Sequence, residues 1–138
     1  MFNIFRFNHW ELRVQAAESV AFIAKMYGTT YTTLLPRVTK TLAKALVVDS
    51  SAGEGLKPLS THYGAIVALS LLGPLVIDSV LLPILEEYMR VLPDLEKTSQ
   101  SDAERVMEAW RNAISLWREH FGKEAPADKI QSLKKLKL

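Results

Sequence analysis

No cysteine occurs in the 138 residues. That absence excludes a disulfide scaffold and any thiolate-held metal, and it favours an intracellular home. Glycine and proline are scarce, at six each, so neither a collagen-like repeat nor a low-complexity linker is present. A surplus of one charge is missing too. Seventeen Lys and Arg against 15 Asp and Glu leave a formal net charge of +2, too little to indicate nucleic acid by itself. The opening Met1-Phe2-Asn3-Ile4-Phe5-Arg6 lacks the basic start and sustained apolar run of a secretion signal. Phe2, Phe5 and Phe7 want a surface to cover, and the opening reads as the tail of something longer.

A membrane span is also lacking. The nearest approach is 64–85, where Asp78 is the only charge, and ~20 apolar residues suffice to cross a bilayer. Gly73-Pro74 breaks that stretch, Asp78 would sit in hydrocarbon, and Pro83 interrupts the second half. Two short buried helices joined at Gly-Pro fit better.

Catalytic patterns are equally absent. His9, His62 and His120 are widely separated, and none belongs to an HExxH pair. His62, beside Tyr63 near a helix start, is expected to make a structural hydrogen bond. Gly53-Glu54-Gly55 lacks the Lys-Ser/Thr that completes a phosphate loop. No serine stands in a nucleophile elbow, and Glu86-Glu87 and the Glu11/Glu18 pair read as solvated helix faces. The chain is therefore expected to be no enzyme, with no cofactor, no metal and no small-molecule substrate.

What is present is an ordinary globular balance, 49% hydrophobic and 23% charged, laid out at helical spacing. A chain of this size buries roughly two-thirds of its unfolded surface. Asn8, with Glu11 three residues on, resembles a capping box. The helix it opens runs through Tyr27 and stops at Gly28. That helix carries two apolar stripes. Trp10, Val14, Ala17, Ala21 and Ala24 form one, and Leu12, Ala16, Val20, Ile23 and Tyr27 form the other. A surface helix has one stripe, so partners on both sides are expected. A second helix follows, with Pro36 in its first turn and Val38, Leu42, Ala45 and Leu46 at helical spacing. A third begins at Ser60 or Thr61 and ends at Leu72-Gly73. A fourth begins at Pro74, with Pro83 bending it or shifting its start, and Pro93 closes it. A fifth, capped by Ser101 or Asp102, carries Val106, Trp110, Ala113, Trp117 and Phe121 up to Gly122. A sixth starts at Pro126, with Ile130, Leu133 and Leu136 on one face. Trp110 and Trp117, seven apart, should bury against the fourth or sixth helix.

The six helices repeat. Leu34-Leu35-Pro36 recurs as Leu81-Leu82-Pro83, a spacing of 47 residues, and the stops at Gly28, Gly73 and Gly122 are 45 and 49 apart. A period of ~40–47 residues in paired helices marks HEAT and armadillo arrays. The expected fold is all-α, a short right-handed HEAT-type solenoid of about three helical hairpins. It forms one domain over 1–138, with units at roughly 8–48, 60–93 and 101–138 and a loop at 48–59. Such stacks present surface to partners.

The segment Leu59-Ser60-Thr61-His62-Tyr63-Gly64-Ala65-Ile66-Val67-Ala68-Leu69, ending in Leu72-Gly73-Pro74, resembles the C-terminal HEAT-repeat domain of a TATA-binding-protein-associated factor. That factor is the one with an N-terminal histone fold, shared by TFIID and SAGA. The first unit agrees through Asn8-His9-Trp10-Glu11-Leu12-Arg13, Ala16-Ala17, Tyr27-Gly28-Thr29 and Pro36-Arg37-Val38-Thr39-Lys40-Thr41-Leu42. The likeness covers roughly residues 8 to 90. Beyond Pro93 only the helix pattern matches. The histone fold is absent, so the resemblance implies a fragment or an isolated domain. It further implies a nuclear scaffold that joins TFIID or SAGA subunits during RNA polymerase II transcription initiation, with no active site to transfer. Trp10, His62, Tyr63, Gly64 and Gly73 are its motif residues, expected to be structural, with Gly64 at a close helix contact.

For a functional surface, the candidate is Arg13 with Arg37, Lys40 and Lys44, the last three sharing a helix face. The alternative is nucleic-acid binding through that strip and through Lys129, Lys134, Lys135 and Lys137. A charged outer face also keeps any terminal solenoid helix soluble.

Overall fold

The computed structural model describes residues 9–46, 57–122, 125–136 and 138. All regular structure among them is helical. In chain order the elements are α1 (His9–Tyr27), α2 (Leu34–Lys44), α3 (Leu59–Leu71), α4 (74–96), α5 (Gln100–Phe121) and α6 (Ala127–Lys135). Helix α4 is continuous but not uniform. It runs as Pro74–Val76, a π turn at Ile77–Leu81, and Leu82–Glu96. Asn8, the aromatic opening, Lys137 and most of the 48–59 loop lie outside the described residues.

Helices α1, α3 and α5 lie side by side, with α3 in the middle and packed most extensively against both neighbours. Helices α2 and α4 form a second layer against α3, and α6 closes onto α4. The core follows the central helices. Ile66 and Leu69 of α3, Ile77, Leu81, Leu85 and Tyr88 of α4, and Val106, Trp110, Ile114 and Trp117 of α5 are all sealed from solvent. Toward α1 the buried side chains shrink to Ala17, Ala21 and Ala24, which allow the close approach of α1 to α3.

Helix ends differ from the sequence expectation in four places, each for a local reason. Helix α3 starts at Leu59, ahead of Ser60 and Thr61. The Pro58 carbonyl accepts from Thr61 N at 3.0 Å and His62 N at 3.1 Å, so the first turn closes without a side-chain cap. Helix α5 is capped by Ser99, not Ser101 or Asp102. Ser99 is extended (φ −164°, ψ 106°) and its Oγ accepts from Asp102 N at 3.3 Å. Pro93 does not close α4, which continues to Glu96. The ring removes a single amide, and Leu92 beside it is buried while Leu95 packs on the core. Finally, the two Leu-Leu-Pro phrases do not occupy equal places. Leu34 opens α2, whereas Leu81-Leu82-Pro83 lies inside a helix already running from Pro74. The π turn immediately before Pro83 is where α4 accommodates the proline; there Leu82 N reaches back to Ile77 O.

Gly73 is the one described glycine with positive φ, at 116°. That left-handed conformation ends α3 and permits α4 to start at the next residue. Gly64 is less constrained than expected. A Cβ there would meet Arg13 Cβ at 4.0 Å, so α1 crosses α3 at this point without excluding a larger residue. Among the described residues, no helix is long and apolar enough to cross a membrane.

Candidate protein-interaction surface

Two polar nodes tie the described helices together. His62, fully buried on α3, shares a 2.8 Å hydrogen bond between its Nδ1 and the Tyr88 hydroxyl on α4. The rings meet edge to face at 5.4 Å, and Tyr88 in turn lies 5.4 Å from Trp110 of α5. Burial lowers the His62 pKa from 6.5 to about 4, and burial also raises that of Tyr88 above its ordinary value. Both groups are therefore neutral near pH 7. His62 Nε2 and Trp110 Nε1 have no hydrogen-bond partner among the described residues. This imidazole is sealed from solvent.

A second polar node ties the last three helices. Asp78, in the π turn of α4, accepts from Trp117 Nε1 of α5 at 3.0 Å and from Lys129 Nζ of α6 at 2.8 Å. The Lys129 hydrogen bond, then that of Trp117, holds its carboxyl below the usual range, against the opposing effect of burial. Lys129 is thus engaged within the fold, which removes it from the basic end considered above. Lys134 and Lys135 remain exposed.

Trp10 bridges the first layer. Its ring meets Tyr63 of α3 edge-on at 5.1 Å, and the Arg105 guanidinium of α5 lies over it at 5.1 Å. It is half-buried, while Trp110 and Trp117 are buried. His9 and His120 are exposed. Among the described residues, no group of three His, Asp or Glu could hold a metal ion.

The cationic candidates divide. Arg37, Lys40 and Lys44 are exposed on α2, which contains no acidic residue. None of the three has an ion-pair partner among the described residues. Arg13 stands apart. It is half-buried on α1, its Nε donates to His9 Nδ1 at 3.4 Å, and its Cβ faces Gly64.

The expected second stripe of α1 is the larger finding. Leu12 and Ile23 are each 49% exposed and Tyr27 46%. Phe22, Met26 and Tyr31 add to the exposed apolar area at this end. The Ala17–Ala21–Ala24 stripe is buried, whereas among the described residues the other stays largely exposed, with Val20 at its α2 side. Between α1 and α2 an open cleft is lined by Val20, Leu34, Arg37, Val38, Thr41 and Leu42. This apolar face is contiguous with cations that have no ion-pair partner among the described residues. Sequence periodicity located the stripe and called for a partner without saying which. Asp78 went unremarked as a contact because its partners are 39 and 51 residues away.

The family model for the TAF6 C-terminal HEAT repeat domain matches residues 5–86. The chain is 44% identical over 117 residues to transcription initiation factor TFIID subunit 6 of Arabidopsis thaliana, covering 84% of this chain and 20% of that protein. It is 35% identical over 115 residues to the SAGA complex/transcription factor TFIID complex subunit Taf6 of Schizosaccharomyces pombe, covering 80% and 24%. It is 37% identical over 100 residues to transcription initiation factor TFIID subunit 6 of Drosophila melanogaster, covering 72% and 16%. The chain thus spans at most about a quarter of the length of these curated relatives. No solved structure matches it. The matched segment contains α1 to α3, the π turn and the Leu-Leu-Pro of α4, and on that basis the chain belongs to the family of the TAF6 C-terminal HEAT repeat domain.

Proposed function

We propose that this chain is a non-catalytic interaction module of a nuclear TFIID/SAGA subunit, supporting complex assembly for RNA polymerase II transcription initiation. Family membership carries the reading, since relatives bear the names of TFIID and SAGA subunits. The molecule is consistent with that role. Its polar interior is spent on packing at His62–Tyr88 and Asp78–Trp117–Lys129. Its α1–α2 end offers apolar and cationic surface outward. The strip of Arg37, Lys40 and Lys44 is the proposed contact surface, with Arg13 contributing to the α1–α3 packing instead.

A pull-down from nuclear extract with the folded chain tests the reading. Recovery of TFIID or SAGA subunits is the expected result, and recovery of neither complex removes it. The same strip also supports a weaker second reading, contact with DNA, because its three cations have no partner among the described residues. Each phosphate contact would steepen the fall of log affinity with log salt by about 0.9. Binding without salt dependence, or no binding at low salt, removes that second reading.

A further inference from the structure

We infer that the cleft between α1 and α2 receives an acidic amphipathic helix. The inference rests on the interaction-module reading above and specifies the chemistry of what that module holds. The floor is aliphatic, formed by Val20 from α1 and Leu34, Val38 and Leu42 from α2. It is continuous with the outward stripe of Leu12, Val20, Ile23 and Tyr27, whose spacing puts all four on one side of α1. Two adjacent helices thus offer a shallow apolar trough, the receptor half of helix-in-groove recognition.

Charge decides which helix fits. Arg37 lines the cleft itself, and Lys40 and Lys44 continue along the solvent side of α2. The acidic residues of α1, Glu11 and Glu18, are seven apart and fall beyond the buried Ala17–Ala21–Ala24 stripe, away from the trough. One rim of the trough is therefore cationic, and neither helix supplies a carboxylate to offset it. Arg37 and Lys44 are separated by seven residues, about 10 Å along a helix rising 1.5 Å per residue. A partner helix with Asp or Glu seven apart on one flank, beside apolar residues at i, i+3, i+4 and i+7, matches both the floor and the rim. A second copy of this chain is a poorer occupant. Its own face would bring Arg37, Lys40 and Lys44 against the same cations, and like charges across an interface oppose docking.

The test uses the 138-residue chain and a labelled synthetic peptide of that pattern, read by fluorescence anisotropy. A second peptide has the same composition with its leucines dispersed around the helix, and a labelled duplex DNA is the third probe. The expected result is saturable binding of the patterned peptide and at least about tenfold weaker binding of the dispersed one. Reversing Arg37, Lys40 and Lys44 to Glu should weaken the patterned peptide by a similar factor, and a patterned peptide carrying Lys in place of its acids should rescue that variant. Val20→Glu, at a position that is already exposed, should also abolish binding while helicity is retained. Equal binding of the two acidic peptides overturns the inference, as does indifference to the charge reversal. Duplex DNA that binds more tightly and displaces the patterned peptide overturns it as well, as does self-association that Val20→Glu abolishes. Pull-down of the transcription complexes without peptide binding overturns the cleft alone. Peptide binding without the complexes supports the cleft and overturns the module's assignment instead.

Discussion

The centre of the array and its α1–α2 end are built from different side chains. Between α3, α4 and α5 the buried residues are large: Tyr88, Trp110, Trp117, Ile66, Leu69 and Leu81. At the other end α1 buries three alanines, and α2 has no fully buried residue within its span. Large interlocked side chains fix one arrangement, because a missing group leaves a cavity that neighbours fill only in part. Alanine against backbone gives closeness but little burial energy. The centre is thus made to hold its shape, and the end is made to leave apolar surface available.

Substitutions at each end should separate the two regions, the largest effect first. Trp110→Ala should destabilise the fold by about 3–5 kcal/mol, read from urea unfolding. A loss below about 1 kcal/mol would mean that the centre is not the stability core.

Next is the pH response of His62. Its pKa is lowered in the folded state to about 4 from 6.5, so the unfolded chain takes up a proton that the folded chain refuses. Stability is then full above pH 6.5 and falls as pH drops toward 4, by at most about 3 kcal/mol. His62→Phe should lower stability at neutral pH yet flatten that slope. An unchanged slope would assign the titration elsewhere. Asp78, with its carboxyl held below the usual range, adds a loss of the same sign at lower pH.

Asp78→Asn should cost about 1 kcal/mol, since the pair with Lys129 is partly exposed and screened. The Asn oxygen still accepts from Trp117. Faster amide exchange confined to α6 is the expected signature, and exchange spread evenly over α5 and α6 would contradict the role given to Lys129. Last, Ile23→Ser on the outward stripe of α1 should change stability by no more than about 0.5 kcal/mol. A cost like that of Trp110→Ala would show that the stripe is covered in solution and would erase the contrast.

Sequence spacing was enough to place six helices, because each carries its apolar residues at helical spacing and about half of their ends adjoin a glycine or proline. It also showed Trp110 and Trp117 on one buried face. Contacts between distant residues left no such mark. His62 finds Tyr88 26 residues away, and no local pattern distinguishes that tyrosine from Tyr63. Pro93 looks like a terminator by itself, and only the burial of Leu92 explains why the helix passes through it. The second stripe of α1 was visible as a stripe, but hydrophobicity does not say whether the neighbour belongs to the same molecule. The strip at Arg37, Lys40 and Lys44 was legible as a face from its spacing, and its lack of ion-pair partners only from the packed array.

The π turn at Ile77–Leu81 bears on how this chain can change in length. A π turn accommodates one residue more than the α turn it replaces. Deleting a residue of α4 between this turn and Leu85 would rotate everything beyond it by about 100° and carry Leu85, Tyr88 and Leu92 away from the core. Within the turn, loss of the exposed Ser79 leaves those facings as they are. The shortened helix would then set the Pro83 ring against a carbonyl that the wide turn keeps clear of it. Insertion length and proline are therefore coupled characters. Relatives one residue shorter here should lack the proline, and those that keep the proline should keep the extra residue.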